Sequence, residues 1–301
     1  MKRSRGERVN GVLLLDKPGG IGSNTALQIV RRLLNACKAG HTGTLDPMAT
    51  GLLPITLGEA TKFSADLLNA DKSYRATIRL GVTTTTGDAE GVVTVSSKVD
   101  VSREELDNAL ARFVGTSDQM PPMHSAIKQA GQPLYKLARA GIEVERLTRS
   151  ITVSRLALIE QLDDAITVDV DCSKGTYVRV LAEDIGRVLG CGAHLSALRR
   201  TRAGQLNVEE AVTLTNLESM SLDARRARLL PEDELLASLE VVKLDTTLAA
   251  RFRLGQRLAL DAEPRGRRVR VYGGNELLGT ATISEWGVVE PERLISSEKS
   301  L

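Results

Sequence analysis

The chain of 301 residues is 42% hydrophobic and 26% charged, a composition that predicts a globular main domain with a smaller second one. Its three cysteines form no Cys-x-x-Cys pair, which argues against a disulfide framework or a zinc ribbon and fits a reducing cytoplasm. No apolar run approaches the roughly 20 residues of a membrane helix, so we expect a cytoplasmic protein without a membrane partner.

The net charge is only +2, but the basic residues are grouped. Two of the groups are an N-terminal arm with Lys2, Arg3, Arg5 and Arg8 and a cluster over residues 199–202. Such groups favour a polyanion as the partner, because clustered cations attract phosphates whatever the net charge of the whole chain.

The first third of the chain alternates apolar runs with polar turns. The expected elements are a buried strand over 12–15, a helix capped by Ser23 or Asn24 and running to about Leu34, an apolar run over 52–57, a helical segment over 59–68 and a strand over 74–80. The turn residues Pro18, Gly19 and Gly20 separate the first strand from the first helix.

The middle of the chain mixes strands and helices without a regular βαβ alternation. We expect strands over 92–96, 151–160 and 166–172, and helices over 103–114, 177–189 and 229–239, with a helix-like segment before the arginines at 199–202. Residues 119–149 are rich in Lys, Arg, Gln and Pro and look like an insertion that contacts a partner. From about residue 241 only short strands follow, so we predict an α+β main domain and a small, mostly β module.

Several common chemistries lack their sequence marks. The chain has no G-x-x-x-x-G-K-[ST] phosphate loop, no G-x-G-x-x-G fingerprint, no H-E-x-x-H and no G-x-S-x-G elbow, and its three histidines are far apart. We therefore expect neither a metal nor a cofactor. What remains is chemistry that a single carboxylate performs alone.

The loop over residues 40–51 concentrates an imidazole, hydroxyls, glycines and the carboxylate of Asp46. Because Pro47 disfavours helix at the residue before it, Asp46 is expected in extended backbone, either as a turn device or as a reacting group. A reacting carboxylate needs a cation that keeps it ionised and oriented. The best candidate is Arg179, at the first turn of a helix that follows a buried strand.

Seven ordered motifs of this chain resemble the TruB-type tRNA pseudouridine synthases, over about residues 9–215. The catalytic-loop motif is His41-Thr42-Gly43-Thr44-Leu45-Asp46-Pro47-Met48-Ala49-Thr50-Gly51, and the others lie at residues 10–18, 58–62, 72–74, 121–128, 172–179 and 190–200. The resemblance implies an α+β fold with a mixed, largely antiparallel central sheet flanked by helices. It also implies a catalytic domain over 1–240 with an RNA-clamping insertion over about 119–149, and a PUA-like RNA-binding module over 241–301.

The family isomerises uridine 55 in the T loop of tRNA to pseudouridine, without a cofactor. The resemblance implies that Asp46 attacks C1′ of the sugar, attacks C6 of the uracil, or acts as a base at C2′. Arg179 would pair with Asp46 and keep it ionised. Tyr74 would stack on the flipped uracil and serve as a base, since a base inside a stem must leave its stack before a side chain reaches it.

The resemblance assigns further contacts with the substrate. His41 would contact the RNA around the flipped nucleotide, and Tyr177 and Leu198 would line the uracil pocket. More weakly matched are an acidic residue near the site and a set of basic RNA contacts: Asp88, Lys17, Lys128, Arg199 and Arg200. The expected partner is the T arm of tRNA, and a monomer is the default state.

Two other functions remain open at this point. The first is a guide-RNA-dependent pseudouridine synthase, against which the short C-terminal tail argues. The second is an RNA-binding or tRNA-folding protein whose catalysis is incidental, because a clamp and a base pocket would serve that role as well.

Overall fold

The computed structural model describes residues 6–125, 127–129 and 131–296. Lys2, Arg3 and Arg5 of the predicted basic arm lie outside these residues. The first half of the chain contains β1 (Gly11–Lys17), α1 (Ser23–Leu33), β2 (Ala39–His41), β3 (Thr50–Leu57), a 3-10 helix (Gly58–Phe63), α2 (Ser64–Leu68), β4 (Lys72–Leu80), β5 (Val82–Thr84), β6 (Val93–Ser96), α3 (Arg103–Ala111) and β7 (Gly115–Gln119).

The second half of the main domain completes the same sheet. Its elements are β8 (Lys128–Gln129), β9 (Gln132–Pro133), α4 (Leu134–Arg139), β10 (Arg149–Gln161), β11 (Ala165–Cys172), α5 (Val178–Val188), β12 (Ala193–Ala203), β13 (Leu206–Asn207), a 3-10 helix (Val208–Glu210), β14 (Val212–Thr213), α6 (Leu214–Ser219), α7 (Leu222–Arg226) and a 3-10 helix (Glu232–Leu236).

A ten-stranded sheet forms the centre of this domain. Its path is β14-β1-β3-β12-β4-β11-β10-β7, with β2 paired to β3 and β13 paired to β12. Only the β1–β14 and β3–β12 pairs are parallel. The predicted α+β fold with a mixed, largely antiparallel sheet is therefore confirmed.

Alternating side chains explain why the sheet has helices on its faces. In β11, Ile166, Val168, Val170 and Cys172 are buried, and the residues between them are only partly covered. They pack with apolar residues of α3 and α5. In β1 the whole apolar run over residues 12–15 is buried, because its two faces pack against different clusters. Leu13 and Leu15 pack with α1, whereas Val12 and Leu14 pack with the residues around Phe63.

Three sequence-based expectations about local structure are wrong. The segment before the clustered arginines is strand β12, because pairing with β4 overrides the helical preference of Leu, Arg and Ala. The helix expected over 229–239 is only the 3-10 helix at Glu232–Leu236, which begins directly after Pro231. The cap of α1 is Gly22 rather than Ser23 or Asn24, since the Ser23 hydroxyl bonds to Leu45.

The last part of the chain folds into a five-stranded sheet with one helix. Its elements are β15 (Glu240–Leu244), α8 (Thr246–Arg253), β16 (Leu258–Ala259), β17 (Arg268–Gly273), β18 (Glu276–Ile283) and β19 (Val288–Leu294), with strand order β15-β17-β18-β19-β16. This small module packs on the main domain through an apolar cluster that joins Tyr272, Leu277 and Ile295 to Phe63 and Leu236. Among the described residues, every helix is too short or too polar to cross a bilayer.

Candidate active site

A pocket of about 820 Å³ opens where strands β4 and β12 meet the catalytic-loop residues 43–47. The turn over 173–177, the start of α5 and the loop over 86–90 complete its wall. The predicted site residues on this wall are Asp46, Tyr74, Asp88, Tyr177, Arg179, Leu198 and Arg200. Residues far apart in sequence therefore meet in one cavity.

Asp46 and Arg179 form an ion pair inside this pocket. The Nε atom of Arg179 lies 3.0 Å from Oδ2 of Asp46 and 3.6 Å from Oδ2 of Asp88. The guanidinium also donates to the carbonyl oxygens of Thr86 (3.2 Å) and His124 (2.7 Å), and its side chain is only 5% exposed. Arg179 is thus held rigidly between two carboxylates and two backbone segments.

The pKa of Asp46 reflects opposing effects of its surroundings. Burial raises the pKa of the Asp46 carboxyl, the Arg179 guanidinium opposes this rise, and nearby Asp88 adds to it. The Asp46 side chain nevertheless keeps 38% of its surface exposed toward the pocket. The carboxyl is therefore accessible to a substrate while it remains paired with a cation.

The loop around Asp46 is fixed by bonds to neighbouring backbone. The Ser23 hydroxyl bonds both to the amide N–H of Leu45 (2.8 Å) and to its carbonyl oxygen (2.9 Å). The amide N–H of Ala49 donates to the Asp46 carbonyl (3.1 Å), which closes a turn around Pro47. These bonds define the backbone on both sides of Asp46, and the ion pair with Arg179 orients its carboxyl.

Lys17 is completely buried beneath the same loop. Its ammonium donates to the carbonyl oxygens of Pro18 (2.8 Å), Ile21 (2.7 Å) and Pro47 (3.3 Å). Burial lowers its pKa to about 8, against the influence of Asp46 and Glu90. This ammonium is turned into the protein and supports the wall, and the RNA contact predicted for Lys17 stays a prediction.

Aromatic and apolar side chains cover the rest of the pocket. Tyr74 and Leu198 lie on the adjacent strands β4 and β12, and Tyr177 precedes the first residue of α5. Burial raises the pKa of Tyr74, an effect that the nearby Arg200 guanidinium opposes. Both hydroxyl-bearing rings and the Leu198 side chain therefore offer faces to a planar ligand next to Asp46.

His41 lies in β2, outside the pocket wall. Its side chain is half-buried, and its Nδ1 atom has no partner among the described residues. Burial lowers the His41 pKa, and the positive charge of Arg200 lowers it further. Because the unpartnered Nδ1 atom is itself buried, it offers no surface to RNA, and the RNA contact predicted for His41 stays a prediction.

The predicted basic RNA contacts have different surroundings. Arg200 is 1% exposed, lines the pocket and donates to the carbonyls of Leu52 and Gly43; the RNA contact predicted for it stays a prediction. Arg199 forms a two-bond ion pair with Asp16 (2.9 and 2.7 Å) and stays partly exposed. The backbone of Lys128 is part of β8, but its side chain lies outside what the structure describes.

Two residues of the site escaped the sequence analysis. Glu90 lines the pocket, and burial raises its pKa with a further contribution from Asp88. Gln119 is buried, and its side-chain amide bonds to both the N–H (2.8 Å) and the C=O (3.1 Å) of Tyr177. Glu90 could have been suspected from the sequence because it lies two residues after Asp88, whereas no sequence pattern around Gln119 points to the site.

Family models match nearly the whole chain. The TruB family pseudouridylate synthase (N terminal domain) model matches residues 31–178. The tRNA pseudouridylate synthase B C-terminal domain model matches residues 179–237, and the model for the C-terminal part of pseudouridine synthase II TruB matches residues 241–295.

Curated relatives and solved structures agree with these models. A tRNA pseudouridine synthase B from Burkholderia mallei is 57% identical, covering 95% of this chain and 97% of the relative. One from Aromatoleum aromaticum is 54% identical over 96% and 94% of the two chains. The crystal structure of a Cbf5–Nop10–Gar1 complex has a chain with 27% identity and a TM-score of 0.74, covering 94% of this chain and 84% of its own. This protein belongs to the TruB family of pseudouridylate synthases.

Proposed function

We propose that the protein is a tRNA pseudouridine synthase that isomerises uridine 55 in the T loop. Relatives at 53–57% identity over nearly the full chain are named tRNA pseudouridine synthase B. The observation that carries the proposal is the Asp46–Arg179 ion pair at the bottom of a pocket lined by aromatic rings. Relatives of this identity favour the proposal over the guide-RNA-dependent alternative.

The reaction breaks the bond between N1 of uracil and C1′ of the sugar. The uracil turns, C5 bonds to C1′, the C5 proton is lost and N1 gains a proton, so no electrons are gained or lost. Asp46 acts as nucleophile at C1′ or C6, or as base at C2′. Each route requires an ionised carboxylate, which the Arg179 guanidinium favours at 3.0 Å.

Base recognition follows from the walls of the pocket. We assign Tyr74 to stacking on the flipped uracil and to proton transfer, and Tyr177 and Leu198 to holding its edges. Stacking on a ring replaces part of the energy lost when the base leaves its neighbours, roughly 1–3 kcal/mol per base. Asp88 shares the Arg179 guanidinium and thereby orients it.

The remaining assignments concern the whole molecule. We assign residues 1–240 to catalysis, the insertion over about 119–149 to clamping the T arm, and residues 241–301 to a PUA-like RNA-binding module. We expect the active form to be a monomer. All three cysteines are free thiols, which agrees with a cytoplasmic location.

The test is to map pseudouridine in an unmodified tRNA transcript after incubation with the protein. We expect modification at one T-loop uridine by the wild type and none by Asp46→Asn, which keeps the side-chain size but removes the charge. Binding of tRNA by Asp46→Asn should persist, because the phosphate contacts lie elsewhere. Modification by the Asn variant at the wild-type rate would refute the role of Asp46.

A further inference from the structure

The guanidinium of Arg200 is among the largest fully buried groups in the protein. Its Nε donates to the carbonyl oxygen of Leu52 (2.7 Å) in β3, and its Nη2 donates to the carbonyl oxygen of Gly43 (3.0 Å) in the catalytic loop. In the described part of the chain it has no carboxylate within ion-pair range. An arginine stays charged when it is buried, and burying a charge without a carboxylate partner costs free energy. Its presence here therefore calls for a functional explanation.

The backbone at Arg200 lies where the site's three main strands meet. In β12 it is opposite Gly51 of β3 and opposite Tyr74 of β4. A Cβ atom on Gly51 would stand 2.2 Å from the Arg200 carbonyl oxygen, so only glycine permits this approach. The strand therefore connects the end of the catalytic loop to the ring that faces the uracil pocket.

The side chain of Arg200 shapes the other end of the same loop. Gly43 has φ of +78°, and a Cβ there would stand 3.1 Å from Nη1 of Arg200. Arg200 therefore bonds to the chain on both sides of Asp46. It bonds to Gly43, which precedes Asp46 in the loop, and to Leu52 in β3, which follows the loop. It also lies on the pocket wall, and its charge opposes the rise of the Tyr74 pKa.

We propose that Arg200 is a positioning residue of the reaction, which holds the Asp46 loop in register with Tyr74 by bonding Gly43 and Leu52 at once. This proposal rests on the proposed pseudouridine synthase function. It predicts a defect in the chemical step rather than in RNA binding, because the buried guanidinium has no surface for a phosphate. Reacting groups that shift by about 1 Å lose on the order of 100-fold in rate.

The experiment compares single-turnover rates and tRNA affinities of Arg200→Met and Arg200→Lys with the wild type. Release of the hydrogen from C5 of uracil, labelled with tritium, reports the rate, and filter binding reports affinity. For Arg200→Met we expect a loss of the order of 100-fold in rate with affinity within about threefold. Arg200→Lys keeps the charge and one donor group, so its rate should be intermediate.

Arg225 provides a matched control. Arg200 donates to two backbone carbonyls and Arg225 to three, those of Leu217 (2.7 Å), Leu33 (3.0 Å) and Glu218 (2.8 Å), none of which lines the pocket. Arg225→Met should lower the melting temperature without changing the rate of the folded protein. If Arg200→Met only lowers the melting temperature in the same way, Arg200 is merely structural and the proposal is wrong.

The outcomes separate this proposal from the function on which it rests. A wild-type protein that forms no pseudouridine refutes the function itself. An active wild type whose Arg200 variants keep the full rate, or lose rate and affinity equally, refutes only the positioning role. If Arg200→Met fails to fold, the intermediate rate expected of Arg200→Lys decides, and a full rate for that variant contradicts the proposal.

Discussion

The Asp46 carboxyl combines two properties that ordinarily oppose each other. It is surrounded closely enough by protein that burial raises its pKa, yet it is paired with the one guanidinium that favours its charge. Asp88 shares this guanidinium and pushes the Asp46 pKa upward as well. Ionisation of Asp46 is therefore sensitive to each neighbour, which makes the pH dependence of the reaction a test of the geometry.

We expect the chemical rate to fall on the acid side, because the proposed mechanism requires Asp46 as the carboxylate. Its raised pKa places this fall at a higher pH than for an ordinary aspartate. Arg179→Met removes the group that opposes the rise, so the fall should move to still higher pH. Single-turnover rates across the acid range, with tRNA binding measured at each pH, provide the measurement.

The same profiles provide their own control. Binding of tRNA should stay level over the pH range in which the rate falls, since the loss concerns a proton on Asp46. An acid limb that lies at the same pH in the wild type and in Arg179→Met would show that Arg179 does not control ionisation of Asp46.

At the scale of elements, the start of α5 places two site residues at once. Tyr177 is its N-terminal flanking residue, and Arg179 is in its first turn. No side chain of the helix itself caps this end; instead the Gln119 amide, at the end of β7, bonds to both backbone groups of Tyr177. One buried amide therefore sets the position of a ring and a guanidinium.

Gln119→Leu should loosen this end of α5. Loss of both bonds leaves the N–H and C=O of Tyr177 without these partners, at a cost of about 1–3 kcal/mol in the free energy of unfolding. We also expect a reduced single-turnover rate, since Arg179 is two residues away. Urea unfolding and tritium release measure the two effects.

Thr116→Ala is the matched control on the same strand. The Thr116 hydroxyl bonds only to that of Thr152 (3.0 Å) on the exposed surface, so this change should leave both quantities close to the wild type. Equal behaviour of the Thr116 and Gln119 variants would contradict a positioning role for Gln119.

Neighbouring residues show how far the sequence alone leads. The pairing of Asp46 with Arg179 was predictable, because a reacting carboxylate needs a cation and Arg179 follows a buried strand. The carbonyl contacts of Arg200 were not predictable, since they depend on which face of β12 the side chain occupies and the sequence predicts a helix-like segment directly before it. Local propensity predicts Ser23 as a helix cap, whereas its hydroxyl bonds to Leu45 through a tertiary contact that local propensity does not contain.

At the scale of the whole molecule, the distribution of charge matters more than its sum. The net charge is +2, and several basic side chains are already used inside the fold, as Lys17 and Arg200 show. Others, such as Arg199 beside Asp16, stay partly exposed. Recognition of tRNA must therefore rely on the exposed cations that remain, together with the shape of the T arm.

We expect tRNA binding to weaken steeply as salt increases. Each phosphate contact releases condensed counterions, and about six contacts would lower the affinity roughly 1,000-fold between about 50 and 200 mM salt. The rate of conversion of bound tRNA should change far less, since the Asp46–Arg179 pair lies inside the pocket that the bound RNA would cover. Filter binding and single-turnover rates at several salt concentrations test this, and a flat binding response would remove the RNA-clamp interpretation of the insertion.

The bond from Arg179 to the His124 carbonyl (2.7 Å) has one more consequence. His124 belongs to the insertion that we assign to clamping, so the guanidinium that pairs with Asp46 is physically tied to that segment. If the insertion moves at His124, either this hydrogen bond breaks or the Arg179 guanidinium moves with it, away from its position beside Asp46. We therefore expect an RNA that binds without seating the insertion to be converted more slowly than its affinity alone would suggest.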